Sequence, residues 1–342
     1  MSMNVLSVFV KLLIMGVVFV NGFTDAPNAI ATVIGTGTMK NRSAVIMCAV
    51  LNFFGVFVMS SFSTGVADSI TGMIDFSSNQ RMAFVSLAAA MFSIVVWAIL
   101  AWLFSIPTSE SHALVAGLIG AAVAESGLES GINLTEIGRI AVGLVLSVLG
   151  GFILGFVTNV IIKNAFKKTI ESGHTKGFKA AQIGGAAAMS FLHGAQDGQK
   201  FIAVYVIADQ IFKGIYSGGS VDISGHTGIL ILCSIIMGLG TSFGGGRIIQ
   251  SVGFDMVHME VSEGFAADLA SSVSLFLLSV TGFPVSTTQV KTTAIMGVGA
   301  SKGKKHLDWD IAKQMVLAWA LTFPGCFILS FLATKLFLFL FV

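Results

Sequence analysis

Two short segments combine polar groups in a way that suits ion binding. NGFTDAPNAIA (21–31) sets Asp25 among Asn21, Thr24 and Asn28, and HGAQDGQKFIA (193–203) sets Asp197 among His193, Gln196 and Gln199. Carboxylate, amide and hydroxyl oxygens are ligands for a hard cation such as Na⁺. Lys200 follows Asp197 by three residues, so on a helix the two side chains can meet. That lysine either pairs with the carboxylate or balances a bound anion. Two further segments, PTSES (107–111) and PVSTT (284–288), place hydroxyls after a proline at the apparent start of a helix. Ser and Thr cap such starts, and a helix start offers N–H groups and a partial positive charge to an oxyanion. Two opposed starts would cage a small tetrahedral anion, while either motif alone reads equally well as plain capping.

These residues sit in a chain built for lipid. Of its 342 residues, 55% are hydrophobic and only 11% charged, against about 25% charged in a soluble domain. Mean hydropathy is +0.90. Long continuous apolar runs, not short alternating ones, define an all-α polytopic membrane protein and exclude a β-barrel. A formal net charge of +2 is too small to imply nucleic acid, and none is expected as a partner. Cys48, Cys233 and Cys326 lie in apolar runs without metal-ligand spacing and read as small buried hydrophobes. The first apolar run, which carries Asp25, is expected to stay in the membrane. An ionised Asp at the bilayer centre costs about 2.5–3.5 kcal/mol, so Asp25 and Asp197 each call for a compensating cation or a proton.

The motifs come in pairs. NGFTDAPNAIA aligns with HGAQDGQKFIA at an offset of 172, matching Gly22 with Gly194 and Asp25 with Asp197. IPTSESHALVAGLIGAAV (106–123) aligns with FPVSTTQVKTTAIMGVGA (283–300) at an offset of 177, matching Pro107 with Pro284, Ser109 with Ser286 and Gly120 with Gly297. Two pairs in one order predict an internal duplication: a first repeat over 1–162, a basic linker over 163–179 and a second repeat over 180–342. Three of the four prolines, Pro27, Pro107 and Pro284, fall in these motifs. Because broken backbone survives at membrane depth only inside protein or beside water, they predict discontinuous helices at a central site.

Sidedness follows from basic linkers. Residues 40–42 (KNR) and 163–179 are basic and expected on the cytoplasmic face. With 82–125 as a re-entrant helical hairpin, each half crosses three times, so the two repeats have inverted topology and both termini lie outside. Linker 125–139 is then outside and 302–313 inside. Linker 247–263 is also expected inside, although it carries Asp255, Glu260 and Glu263 against Arg247.

The paired motifs, with GTSFGGGRIIQSVG (240–253) and GFAADLASSVSLFLLSVTGFPVSTT (264–288), resemble the inorganic phosphate transporter (PiT) family over nearly the whole chain. The resemblance implies a cation-coupled phosphate symporter of inverted repeats, often oligomeric, using Na⁺ or H⁺, with some members moving sulfate. By position, Asp25, Asn28 and Asp197 match the family's acidic and amide residues, Lys200 its lysine, and Ser109, Ser111, Ser286, Thr287 and Thr288 its hydroxyl-rich tips. Thr24 and Gln196 stand where many members have Asn, Glu110 where Ser or Thr is usual, and Gln289 where the equivalent of His112 is often His. Glu110 adds negative charge next to the expected anion site, or instead is a cation ligand or points away. The expected phosphate contacts are Asn28, Thr108, Ser109, Ser111, Lys200, Ser286, Thr287 and Thr288. The expected sodium contacts are Asp25, Thr24, Asn21, Asp197, Gln196 and Glu110.

The function expected is sodium-coupled symport of inorganic phosphate across the plasma membrane, with no cofactor beyond Na⁺ as coupling ion and with the lipid bilayer and a homo-oligomer as further partners. A proton-coupled or sulfate transporter of the same build is the nearest alternative, and an uncoupled anion channel or exchanger the next. No GxxxxGK[ST] motif supports ATP coupling, and GTSFGGGR (240–247) reads as a loop or a close helix contact. His193 with Asp197 is too weak a pattern for an enzyme. Lys291, one turn into the second hairpin helix, is expected to snorkel toward an interface rather than meet substrate, and His112 and His193 to act as structural hydrogen-bond partners.

Overall fold

The computed structural model describes residues 2–342 apart from 63, 77–78, 105–107, 128–130, 217, 220–222, 224 and 244, and apart from the side chains of 60–62 and 304. The described chain is helical throughout, with one isolated β-bridge between Ile74 and Ile132. In order the helices are α1 (Met3–Thr24), α2 (Ala26–Gly35), α3 (Asn41–Phe62), α4 (Gly65–Thr71), α5 (Gln80–Leu103), α6 (Glu110–Ser126) and α7 (Leu134–Ala165). There follow α8 (Lys167–Glu171), α9 (Lys176–Lys213), α10 (Thr227–Phe243), α11 (Gly246–Gln250), α12 (Val261–Val280), α13 (Thr287–Ser301) and α14 (Trp309–Phe341). Among the described residues, six helical stretches are long and apolar enough to cross a membrane: Met3–Gly35, Asn41–Met59, Gln80–Leu103, Leu134–Ala165, Val261–Val280 and Trp309–Phe341. At 38 residues α9 is about 57 Å long, more than a hydrocarbon core of about 30 Å requires, but polar residues interrupt its middle.

Side-chain caps set several helix starts. Asn79 accepts from the N–H groups of Arg81 and Met82, Asn133 from Thr135 and Glu136, and Asp308 from Asp310 and Ile311. Glu260 and Glu263 form a reciprocal capping box at the start of α12.

The close contacts between helices come in two matching sets. A Cβ on Gly22 would lie 2.2 Å from the Met237 carbonyl oxygen, and one on Gly240 would lie 2.1 Å from that of Phe19, so α1 and α10 meet backbone to backbone. Gly194 against Asn52 (2.3 Å) and Gly55 against Phe191 (1.9 Å) repeat this between α9 and α3. Gly22 and Phe19 differ from Gly194 and Phe191 by the offset of 172 read from the motifs. The second motif pair behaves alike: Gly120 packs on Phe327 of α14, and Gly297 on Phe152 of α7. Small residues are what allow helices to approach this closely in lipid, where hydrophobic burial gives no drive toward association.

Several expectations need adjusting. The break in 21–31 is a one-residue irregularity: α1 and α2 form a single stretch, Met3–Gly35. Asp25 keeps an αR backbone and its N–H still reaches the Asn21 carbonyl at 2.9 Å. Pro27 lies in the first turn of α2, where the missing N–H costs little. The matching motif in α9, which has no proline, is unbroken. Pro107 lies outside the described residues. Pro284 precedes α13 in non-helical backbone, and Pro324 lies inside α14. The hairpin expected at 82–125 is α5 and α6, packed on each other, and α12 and α13 repeat it. The first arm, α5, is by itself long enough to cross a bilayer. The linker 163–179 is largely helical, taken up by the end of α7, by α8 and by the start of α9. Residues 240–253 make close contacts: Gly253 meets the Ala31 carbonyl oxygen and Gly245, at φ +103°, lies against the Pro27 ring. The three cysteines are free and buried.

Lys291 does not snorkel. Its ammonium is fully buried in an ion pair with Asp268 of α12, and Thr32 of α2 donates to the same carboxylate oxygen at 2.6 Å. The pair therefore ties both arms of the second hairpin to α2. At the positions 177 residues earlier the first hairpin has Met91 and Leu114, both buried. Asp268→Asn leaves a buried ammonium without its counter-charge and is expected to cost about 3–5 kcal/mol, read as a lowered Tm of the detergent-purified protein. Asp268→Met with Lys291→Leu, which copies the first hairpin, is expected to recover most of that loss. Gly55→Ala is expected to cost about 1–3 kcal/mol by pushing α3 from α9, whereas Gly184→Ala, where a Cβ meets nothing within 4 Å, leaves Tm unchanged.

Candidate functional site

Four segments converge at one buried point. The end of α1 and start of α2 bring Asn21, Thr24, Asp25 and Asn28. The start of α6 brings Ser109, Glu110 and Ser111, the middle of α9 brings His193, Gln196, Asp197 and Lys200, and the start of α13 brings Ser286, Thr287 and Thr288. Every one of these residues is buried.

The two hairpin starts meet. Ser109 caps α6 by accepting from the His112 N–H at 3.4 Å, and Ser286 caps α13 by accepting from the Gln289 N–H at 3.1 Å. The two serine hydroxyls lie 2.7 Å apart and bond to each other. The Ser286 N–H donates to Ser147 on α7 at 3.3 Å. Two partially positive helix ends thus face one another.

Asp197 is the most heavily partnered group. Its Oδ1 accepts from the Lys200 ammonium at 2.7 Å. Its Oδ2 accepts from the Asn21 amide at 3.0 Å and the Thr287 hydroxyl at 3.2 Å, with His193 Nε2 3.4 Å away. Lys200 also donates to Ser111 Oγ and to the Val285 carbonyl, each at 2.6 Å, so its three N–H groups are all engaged. The lysine bridges α9, the α6 start and the segment before α13.

Asp25 sits beside Glu110, whose backbone N–H donates to Asp25 Oδ2 at 3.4 Å. Glu110 does not point away: its Oε1 accepts from Thr24 at 3.2 Å, inside the cluster. Asn28 donates to the Asp25 carbonyl at 3.0 Å and to Thr288 Oγ1 at 3.3 Å. Gln196 donates to the Phe283 carbonyl at 2.9 Å. Thr108 stands apart. It is buried in the lining of an apolar cavity with Trp97, Leu100 and Leu321, and no hydrogen bond among the described residues ties it to the cluster.

The unpartnered atoms are mostly oxygens. Asn21 Oδ1, Asn28 Oδ1, Glu110 Oε2, Gln196 Oε1 and Gln199 Oε1 are buried without a hydrogen-bond donor. Buried acceptors left open are costly unless something binds them, and this set has the hard-oxygen chemistry a Na⁺ ion takes. Among the described residues no three carboxylate, histidine or cysteine side chains form a metal cluster, so amide and hydroxyl oxygens would supply much of any cation's coordination. Charge points the same way. Asp25, Glu110 and Asp197, when ionised, face the single ammonium of Lys200, which leaves two negative charges uncompensated in a buried site.

Sequence reasoning missed two features. Asn52 of α3 links His193 Nδ1 (3.0 Å) to Thr241 of α10 (3.1 Å), which fixes the imidazole that faces Asp197. Asn52 lies in an apolar run and has no motif of its own. Asp268 was legible only as an acid inside an apolar helix, because its partner is on the other hairpin arm.

Comparison with known proteins agrees with this architecture. Residues 21–330 match the phosphate transporter family. A probable low-affinity inorganic phosphate transporter of Bacillus subtilis is 35% identical over 320 residues, covering 94% of this chain and 93% of its own. One from Rhizobium meliloti is 32% identical, covering 91% and 90%. The solved structure of the sodium-dependent phosphate transporter matches with a TM-score of 0.84 over 99% of this chain and 100% of that one. At 21% identity that likeness establishes the fold alone. A helical chain with several membrane-spanning segments, matched over most of its length by phosphate transporters, this protein belongs to the phosphate transporter family.

Proposed function

We propose that the protein is a sodium-coupled symporter that brings inorganic phosphate across the plasma membrane. The observation that carries this reading is the gathering of three buried carboxyl groups, Asp25, Glu110 and Asp197, around the one ammonium of Lys200 directly beside two opposed helix starts, which when all are ionised is a surplus of negative charge. Cations at Asp25, Glu110 and Asp197 offset that surplus, and only then is an incoming phosphate dianion tolerated next to the carboxylates. The hydroxyls of Ser109, Ser111, Ser286, Thr287 and Thr288 and the Asn28 amide would hold the anion, which requires the Ser109–Ser286 bond to open. Thr24, Asn21 and Gln196 would complete the cation ligands. Lys200 can turn from Asp197 to phosphate once a cation has taken its place.

The matched glycine contacts support a reading of the chain as two repeats, 1–162 and 180–342, of inverted topology, with α5–α6 and α12–α13 as re-entrant hairpins and the basic stretch 163–179 on the cytoplasmic side. Exchange of access then comes from one repeat rocking against the other. The name of the structural neighbour, sodium-dependent, supports Na⁺ over other ions. Protons are the second reading, because the same three carboxyls could carry them in place of cations.

Two measurements test this. In proteoliposomes, radiolabelled phosphate uptake is expected to follow an inward Na⁺ gradient and to ignore sulfate. Uptake that follows a pH gradient alone overturns sodium coupling, and sulfate uptake without phosphate uptake overturns the substrate. Asp25→Asn and Glu110→Gln are each expected to lower Na⁺-driven uptake at least about tenfold, equivalent to roughly 1.4 kcal/mol of lost cation binding, with a higher Na⁺ concentration needed for half-maximal rate. Unchanged Na⁺ dependence in both variants would rule out the carboxylates as cation ligands.

A further inference from the structure

A second cavity lies on the outer side of the hairpin starts, between α6, α7, α13 and α14. It is about 430 Å³ and almost wholly apolar, within the size range of small-molecule sites. Its mouth is formed by Val145, Leu149 and Val316, which are 56%, 53% and 52% exposed on a face of apolar helices that would meet lipid. Three of its lining residues, His112, Gln289 and Trp319, are polar and only 4–5% exposed.

Each of those three has a buried polar atom that no donor or acceptor meets at full hydrogen-bond geometry, His112 Nε2, Gln289 Oε1 and Trp319 Nε1, and the His112 and Gln289 side chains lie near enough to interact with each other. Their chemistry is complementary. His112 Nδ1 lies 3.3 Å from the Trp319 carbonyl oxygen, which only accepts, so in the neutral ring the proton is on Nδ1 and Nε2 presents a lone pair. Trp319 Nε1–H only donates, and Gln289 Oε1 only accepts. A hydroxyl group both donates and accepts, so it can satisfy an acceptor and the indole donor together. A phosphate or carboxylate head would meet two acceptors and a single donor.

We propose that this cavity binds a single-chain membrane lipid with a neutral hydroxyl head, of the monoacylglycerol kind, its chain along the apolar wall and its head against His112, Gln289 and Trp319. The site reports directly to the hairpin tips. His112 and Gln289 are the residues whose backbone N–H groups donate to Ser109 and Ser286, the two hydroxyls that join α6 to α13. An occupant that holds His112 and Gln289 in place favours the arrangement in which the tips are joined, and so slows the exchange that must part them.

The chain has four tryptophans, so a full-length variant keeping only Trp319, with Trp97, Trp102 and Trp309 changed to Phe, gives a local probe. In proteoliposomes, a monoacylglycerol brominated on its chain is expected to quench this fluorophore saturably at low mole fraction. The brominated methyl ester of the same acid, which lacks hydroxyls, is expected to need about tenfold more, the value of one lost buried hydrogen bond. His112→Phe should remove that difference, and Val148→Phe, which fills the cavity, should remove saturable quenching altogether. Equal quenching by the two amphiphiles, or saturable quenching that survives Val148→Phe, overturns the proposal. Should these variants fold poorly, the unaltered protein decides: monooleoylglycerol raises its Tm in detergent and methyl oleate does not, and equal shifts overturn the site.

Discussion

The structure turns on the placement of Asp197 halfway along an unbroken helix, buried from the protein surface. A carboxylate there is tolerable only if charge and hydrogen bonds are supplied on every side. Lys200 supplies charge and a hydrogen bond from the same helix, Asn21 an amide N–H from α1 and Thr287 a hydroxyl from α13, with His193 Nε2 3.4 Å away. Each partner is thereby fixed, and Lys200 passes the constraint on to Ser111 and to the backbone before α13. One buried charge thus sets the relative position of three segments that are far apart in the chain.

The close helix packing makes that arrangement possible. Gly194, one turn before Asp197, lets α9 approach α3 until a Cβ would overlap the Asn52 carbonyl, and Asn52 is the residue that orients His193. Gly22, one turn before Asp25, does the same for α1 against α10. The glycines next to the two carboxylates therefore have a steric role, and the carboxylates' depth depends on them. A larger residue at either position would move the acidic group away from its partners as well as separating two helices.

The paired motifs match in their glycine contacts but differ in charge. The first hairpin brings Glu110 to the central cluster, and the second brings Thr287 to the same turn. The second hairpin carries the Asp268–Lys291 pair where the first has Met91 and Leu114. Two arms joined by an ion pair, and bonded through Thr32 to α2, resist sliding more than two arms joined by methyl contacts, because separating them exposes two unpartnered charges.

The sequence by itself determined the class of protein, the pairing of its motifs and most of the central residues. Long apolar runs admit only helices in lipid, and carboxylates, amides and capping hydroxyls stand out against such a background, so Asp25, Asp197, Ser109 and Ser286 were legible from their types and spacing. The near-continuous path through Asp25 was not, because a proline in the first turn of a helix and one inside it look alike in sequence. Nor was the destination of Lys291: its length allows both snorkelling and burial, and Asp268 on the opposite arm decides between them. Asn52, Thr108 and the engagement of all three Lys200 donors likewise depend on which helices meet. Local chemistry is written along the chain, but the partner of a buried polar group is chosen by packing between segments, and that choice exists only once the helices are assembled.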